Sequence, residues 1–298
     1  MGGAVSSGKD NNEFTDNLIV GTHIRTAQVE QVFRAVDRAL YMTPQSRLQA
    51  YRDTAWKYGH IHLSAPCIYS EVLEGLELRK SLSFLNIGSG TGYLNTMVGL
   101  ILGASGVNHG IEIQNSLIDY ANVHLRKFID NCAGLDEMDF CEPKFFCGNG
   151  LSMSGMQEVY DRIYCGAECP QEYHNHFQQL LKVGGILVMP FKEKLLQIKK
   201  VSADRLKEKI LLQVSFVELV TPGVALYLNV CLYSDVCPSR LSSLARSAVR
   251  SRLRTGLLGA RPDLHPPPHR PPPAKMPTRH IRIPIFGGGN DLGNMYFI

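Results

Sequence analysis

Leu85-Asn86-Ile87-Gly88-Ser89-Gly90-Thr91-Gly92-Tyr93 carries an apolar strand straight into a glycine loop, and an apolar helix-like segment, Leu94 to Leu102, follows. Glycine lets a backbone come close to a bound nucleotide, and the amino terminus of the next helix offers N–H donors. The spacing over Gly88, Gly90 and Gly92 is G-x-G-x-G, not the G-x-G-x-x-G of dinucleotide binders. Ser89, Thr91 and Tyr93 complete the loop. Twenty residues past Gly92, Glu112 closes the apolar run Val107-Asn108-His109-Gly110-Ile111-Glu112. A carboxylate at the end of a second strand stands where it accepts hydrogen bonds from ribose hydroxyls. A glycine loop alone is also an ordinary strand-to-helix turn. Loop and carboxylate in register point to nucleoside binding.

Working outward from Ser83, strand and helix alternate. Strands are predicted near 83–88, 107–112, 143–148, 159–165 and 184–189, with helices near 93–102, 115–130 and 171–182. That alternation predicts an α/β fold with a mainly parallel sheet covered on both faces. Leu195 to Val201 and Ile210 to Val220 have no helix between them and are expected to pair antiparallel at the sheet edge, giving seven strands. Upstream, Val29, Val32, Phe33, Val36 and Leu40 recur at helical spacing within 17–40. A further helix is expected after Pro66, with Ile68, Val72 and Leu76 on one face. Val224 to Tyr233 is apolar enough for one more strand but has no evident place in the sheet.

The chain has 298 residues, 44% hydrophobic and 19% charged, which fits one sizeable globular domain plus appendages. No apolar run is long enough for a transmembrane helix, and a signal-peptide pattern is absent, so a cytoplasmic protein is expected. The eight cysteines form no C-x-x-C pair and no standard zinc spacing. The nearest grouping, Cys165 and Cys169 with His174 and His176, is poorly spaced for chelation on a helix, and no metal is expected. Reduced thiols are the ordinary reading.

Several stretches together resemble the protein-L-isoaspartate O-methyltransferases. Ile61-His62-Leu63-Ser64-Ala65-Pro66 is similar to that family's I-S-A-P substrate motif, and Ile24-Arg25-Thr26 with Asp37-Arg38 to its N-terminal region. Tyr160-Asp161-Arg162-Ile163 and Lys182-Val183-Gly184-Gly185-Ile186-Leu187-Val188-Met189-Pro190 are similar to its fourth and fifth strand regions. The resemblance spans roughly residues 20 to 220. It implies a Rossmann-like seven-stranded methyltransferase fold, with N-terminal helices and an irregular C-terminal tail, that uses S-adenosyl-L-methionine. Carried over, Gly88 to Tyr93 would hold the methionine part of the cofactor and Glu112 its ribose. Asn149 would stand where the family has an aspartate facing the adenine, accepting without charge assistance. Ser64 would correspond to the active-site serine that contacts the acceptor carboxylate; it also suits a helix N-cap. A carboxylate is already ionised at neutral pH, so the transfer needs positioning more than a base. The acceptors implied are proteins or peptides with isoaspartyl residues, and the chemistry is protein repair. Three departures bear on turnover: Cys67 and Tyr69 replace two family histidines, and Glu168 stands among usually small residues, either repelling a carboxylate or simply solvated.

Both termini carry further patterns. Met1-Gly2-Gly3-Ala4-Val5-Ser6 fits N-myristoylation at Gly2, and one acyl chain without a polybasic run would give reversible membrane contact. Residues 1–16 read as a flexible terminus and 17–235 as the methyltransferase-like domain. From Pro238 to Ile298 there are 10 Lys/Arg and 2 Asp/Glu, so the tail is basic. Residues 238–254 read as a basic amphipathic helix with Leu241, Leu244, Ala245, Val249 and Leu253 on its apolar side. It resembles the BC box that docks elongin C in ubiquitin-ligase receptors, an apolar helix face laid in a groove. Together with the glycine N-terminus this is closest to the isoaspartate methyltransferase domain-containing branch. That branch implies a substrate-recognition role in an elongin B/C and cullin ligase, the alternative being an active repair enzyme. No cullin-box sequence follows. Residues 255–298 form a basic, Pro- and Gly-rich tail with few aromatics, so nucleic-acid binding is not expected.

Overall fold

The computed structural model describes residues 6–131, 139–153 and 159–222. Nine strands are found among them. A small antiparallel hairpin, β1 (Trp56–Tyr58) and β2 (Ile61–Leu63), precedes the main sheet. The sheet contains β3 (Ser83–Ile87), β4 (Val107–Glu112), β5 (Lys144–Cys147), β6 (Tyr160–Cys165), β7 (Leu181–Phe191), β8 (Lys194–Ser202) and β9 (Arg205–Gln213). Its order is β5-β4-β3-β6-β7-β8-β9. Strands β3 to β7 are parallel, and β8 and β9 are antiparallel additions. The order reverses at β3, whose neighbours are β4 and β6, so a crevice opens at the carboxyl end of β3.

The helices are α1 (Asn11–Val20), α2 (Ala27–Ala35), α3 (Pro66–Leu76), α4 (Tyr93–Leu102), α5 (Asn115–Asn131) and the short α6 (His176–Gln179). Every residue of β3 and of α4 is buried, which is why both read as nearly continuous apolar runs. Alternation along β3 sends Phe84 into the core shared with α1 to α4, and Leu85 and Ile87 into a second core beneath the opposite face. Helix α5 buries Leu117, Ile118, Ala121, Leu125 and Phe128 along one stripe.

Three expectations are corrected. Residues 11–16, assigned to a flexible terminus, begin α1: Asp10 Oδ1 accepts the N–H groups of Asn12 (3.0 Å) and Glu13 (2.9 Å), and Phe14 and Leu18 are buried. The helix expected over 171–182 is only a 3₁₀ turn, Gln171–Tyr173, followed by α6. The Leu180 carbonyl accepts from Val159 and Tyr160, which draws the chain into β7 at Leu181. The last strand lies at 205–213 instead of 210–220, because the exposed Lys207-Glu208-Lys209 run forms the sheet edge. Beyond it, 214–220 folds back over the carboxyl end of the sheet: the Glu168 N–H donates to the Val217 carbonyl at 2.8 Å, and the Leu219 N–H to the Glu168 carbonyl at 2.9 Å. Gly2, the 224–233 stretch, the 238–254 helix with Leu241, Leu244, Ala245, Val249 and Leu253, and the Pro-rich tail lie outside the described residues. Among the described residues, no helix is long and apolar enough to cross a membrane.

Candidate active site

The glycine loop turns at the carboxyl end of β3, with φ of 74° at Gly88, 51° at Gly90 and 78° at Gly92. Side-chain-bearing residues rarely adopt that region. A Cβ on Gly92 would lie 2.8 Å from the Phe145 ring, whereas one on Gly90 would meet only the His62 carbonyl, at 3.8 Å. Gly92 is therefore demanded by packing as well as by backbone. Gly90 borders open space. The N–H groups of Gly88 and Ser89 both donate to the Ile111 carbonyl, at 2.9 and 3.0 Å, which locks the loop to β4. Ser89 is buried, and its hydroxyl has no hydrogen-bond partner among the described residues. Thr91 is buried too, and its Oγ1 accepts the Tyr93 N–H at 3.4 Å.

Glu112 ends β4 beside the loop, 1% exposed. Its Oε2 accepts the Gly90 N–H and its Oε1 the Gln114 N–H, both at 3.0 Å. Burial raises this carboxyl to about 7, against the pull of those backbone donors. With backbone donors from Gly90, Gln114 and Ile113 on its roughly four acceptor positions, the carboxylate keeps acceptor capacity for a ligand hydroxyl.

Asn149 follows β5. Its Oδ1 accepts the Leu151 N–H at 2.9 Å, and its Nδ2 donates to the Val220 carbonyl at 2.8 Å. A shallow apolar cleft opens here, walled by Ile87, Gly88, Ile111 and Gly148 on one side and by Leu219 and Val220 on the other. Leu219 and Val220 thus bring the end of the 214–220 stretch, expected as strand, to the wall of the site. The Val-rich alternation of that stretch is indistinguishable from that of a strand.

Ser64 lies between β2 and α3, largely buried. It does not cap α3; the N-cap position is Ala65, with no side-chain cap, and Pro66 opens the helix. The Ser64 N–H instead donates to the Tyr69 hydroxyl at 3.2 Å. Cys67, one of the departures, donates its N–H to Asp53 Oδ1 at 2.8 Å, and burial raises its thiol far above the usual range. His62 is exposed on β2, and partial desolvation, with Arg38 and Lys57 nearby, holds its imidazole below the ordinary value, so it is neutral at pH 7. The tyrosines close the seam between Ser64 and the loop: Tyr93 stands 5.4 Å from Tyr69 and 5.2 Å from Tyr41, ring centre to ring centre. Arg38 faces the Tyr93 ring from 5.9 Å.

Ser64 and the glycine loop are therefore brought to one place, joined through His62, Tyr69 and Tyr93. Glu112 and Asn149 stand along the same sheet edge. In the sequence Arg38 shows only within the Asp37-Arg38 resemblance, with no site role attached, and Tyr41 carries no signal of its own. Glu168 is half-buried at the end of β6, tied by its backbone to 217–219. Cys165 and Cys169 are buried, His174 packs on Phe191, and His176 faces the Gly150 carbonyl. Among the described residues, no three His, Cys, Asp or Glu side chains converge as metal ligands.

Residues 9–223 match the family described as Protein-L-isoaspartate(D-aspartate) O-methyltransferase. The protein-L-isoaspartate O-methyltransferase of Methanococcus vannielii is 30% identical over 208 residues, covering 68% of this chain and 94% of the relative. That of Methanococcus aeolicus is 29% identical over 207 residues, 68% and 90% of the two chains. Among solved structures, a Plasmodium falciparum chain assigned to the protein-L-isoaspartate O-methyltransferases, in complex with S-adenosyl-L-homocysteine, superposes with a TM-score of 0.61. It is 21% identical and covers 72% of this chain and 99% of its own, a likeness of fold.

Proposed function

Since the chain belongs to the protein-L-isoaspartate(D-aspartate) O-methyltransferase family, we propose that it binds S-adenosyl-L-methionine along the edge formed by β3, β4 and β5 and methylates isoaspartyl carboxylates of proteins at Ser64. The observation that carries this is the meeting of the I-S-A-P-like segment with the glycine loop, His62 beside Gly90. The residues present suit the cofactor. The buried Ser89 hydroxyl is unpartnered, the space beside Gly90 is open, and the Glu112 carboxylate has spare acceptor capacity for ribose hydroxyls. Asn149 and the cleft walled by Leu219 and Val220 suit the adenine.

When bound, the cofactor supplies a methyl group activated by a sulfonium. The acceptor carboxylate, already ionised at neutral pH, would itself be the nucleophile toward that methyl group, so no residue of the chain has to remove a proton. The chain's part is to bind, orient and dry the site. Ser64 offers a hydroxyl to the acceptor, Tyr69 holds the Ser64 backbone, and Tyr41, Tyr69 and Tyr93 exclude water. The neutral His62 and the protonated Cys67 fit a site that needs no base.

A second reading keeps the same pocket for recognition without turnover, on a chain that presents damaged proteins to a ubiquitin ligase. The Tyr69 hydroxyl on Ser64 favours it, since it stands where the family carries imidazole. Support for the ligase arm is the sequence pattern Leu241, Leu244, Ala245, Val249 and Leu253, which suits an elongin B/C groove. Acylation at Gly2, reversible membrane contact and a cytoplasmic setting rest likewise on sequence pattern.

The discriminating experiment follows labelled methyl from S-adenosyl-L-methionine to an isoaspartyl peptide in wild type and Ser64→Ala. Ester formation that falls about tenfold or more in Ser64→Ala, with S-adenosylhomocysteine affinity unchanged, supports the enzyme. Cofactor and peptide bound without ester, and elongin B/C captured unless Leu241 is changed to Asp, supports the receptor. A wild type that binds no cofactor refutes both.

A further inference from the structure

Arg38 opens the 3₁₀ turn Arg38–Tyr41 and is 1% exposed. Its Nη2 reaches the carbonyls of Thr54 and Leu63, each at 3.4 Å, near the outer limit of a hydrogen bond. Its Nη1 has no hydrogen-bond partner among the described residues. No ion pair among the described residues involves it; the Asp53 carboxylate acts on it at longer range and leaves Nη1 unbonded. A guanidinium buried with half its fork unused is costly unless an anion joins it.

Its surroundings say where that anion would come from. Leu63 immediately precedes Ser64, the Tyr69 hydroxyl holds the Ser64 N–H, and Tyr93, beneath the guanidinium, ends the glycine loop. Arg38 therefore backs the seam where the acceptor segment meets the cofactor loop. Both ligands of the proposed reaction bring a carboxylate to that seam: the isoaspartyl side chain, and the amino-acid end of the cofactor. A planar guanidinium fork matches a carboxylate better than any other side chain does.

We propose that Arg38 binds a ligand carboxylate through its free Nη1 at the Ser64–Tyr93 seam, and so selects for anionic groups there. This rests on the functional reading above. Arg38 is a binding and positioning residue in this account. Its loss acts on ligands with a carboxylate and spares those without one.

The test uses the full chain, as wild type, Arg38→Gln and Arg38→Lys. Calorimetry measures S-adenosylhomocysteine and 5′-methylthioadenosine, which shares the nucleoside and thioether but lacks the carboxylate. Fluorescence anisotropy measures an isoaspartyl peptide with S-adenosylhomocysteine saturating. For Arg38→Gln, the affinity of at least one carboxylate ligand should fall about tenfold or more, while methylthioadenosine stays unchanged. Loss limited to S-adenosylhomocysteine assigns the cofactor carboxylate; loss limited to the peptide assigns the acceptor. Equal loss for both nucleosides, or no loss in a variant that melts like wild type, overturns the assignment. If Arg38→Gln does not fold, Arg38→Lys decides, since it keeps the charge but not the fork. An unchanged ratio between the two nucleosides and unchanged peptide affinity would then overturn it. A wild type that binds neither ligand overturns the functional reading, and the Arg38 assignment with it.

Discussion

The Gly90 backbone N–H donates to Glu112 Oε2 across 3.0 Å, so the turn after β3 and the carboxylate at the end of β4 act as one unit. Cofactor affinity should therefore depend on pH. Burial lifts Glu112 to about 7, and the ionised form is the better acceptor for ribose hydroxyls. S-adenosylhomocysteine affinity should rise from pH 6 to pH 8, by up to about tenfold per unit below the titration. Without ligand the stability trend is the reverse. A carboxyl raised in the folded state gives stability that is fully present below its unfolded value and lost as pH rises through about 7. Calorimetry and thermal melts over this range check both. Glu112→Gln should flatten both profiles, and a pH-independent affinity in wild type would count against Glu112 as the ribose acceptor.

Gly90 and Gly92 should respond differently to the same change. Gly90→Ala meets only the His62 carbonyl, at 3.8 Å, so its cost is the left-handed backbone, about 1–2 kcal/mol. Gly92→Ala adds a clash with the Phe145 ring and should be clearly less stable than Gly90→Ala. Gly90→Val should fold and lose cofactor binding, because its side chain fills the open space beside the loop. Urea titrations rank the stabilities, and calorimetry reads the binding.

Asn149→Asp replaces the donor that holds Val220 with a second acceptor. The 214–220 stretch should loosen, at a cost of about 1–3 kcal/mol, while the charge strengthens any bond accepted from an adenine amino group. Hydrogen exchange should rise selectively over 214–220, with cofactor affinity equal to or above that of wild type. Unchanged exchange there would mean that the Asn149–Val220 bond contributes little to the wall.

Tyr69→Phe leaves the buried Ser64 N–H without its partner and should cost about 1 kcal/mol, seen as a lower unfolding midpoint. Tyr69→His places at this position the imidazole typical of the resembling family. It should raise the rate of methyl transfer relative to wild type, without altering cofactor affinity.

Much of the fold was legible because its parallel strands are short apolar runs separated by helices of the right period. β3, β4, β6 and α4 fall within a residue or so of where the sequence puts them. Failures came where local pattern and tertiary contact disagree. Residues 171–182 look helical, yet the Leu180 carbonyl serves Val159 and Tyr160 and ends the helix early. Residues 214–220 look like a strand but pair with Glu168 at the mouth of the site. Asp10 announces α1 only to a reader who trusts a single cap. At the site, glycine spacing exposed the loop and Glu112. Arg38 and Tyr41 are scattered in sequence, and only the fold brings them to Tyr93. The internal bonds of Asn149 are likewise invisible before residue 220 is seen beside it.

The most direct test of the central claim compares two peptides that differ only in one linkage, an isoaspartyl residue against its ordinary aspartyl twin. Each is incubated with purified protein and methyl-labelled S-adenosyl-L-methionine. Labelled ester that appears on the isoaspartyl peptide alone, and is abolished in Gly90→Val, is the result predicted. Equal labelling of both peptides, or bound cofactor with no ester on either, would contradict it.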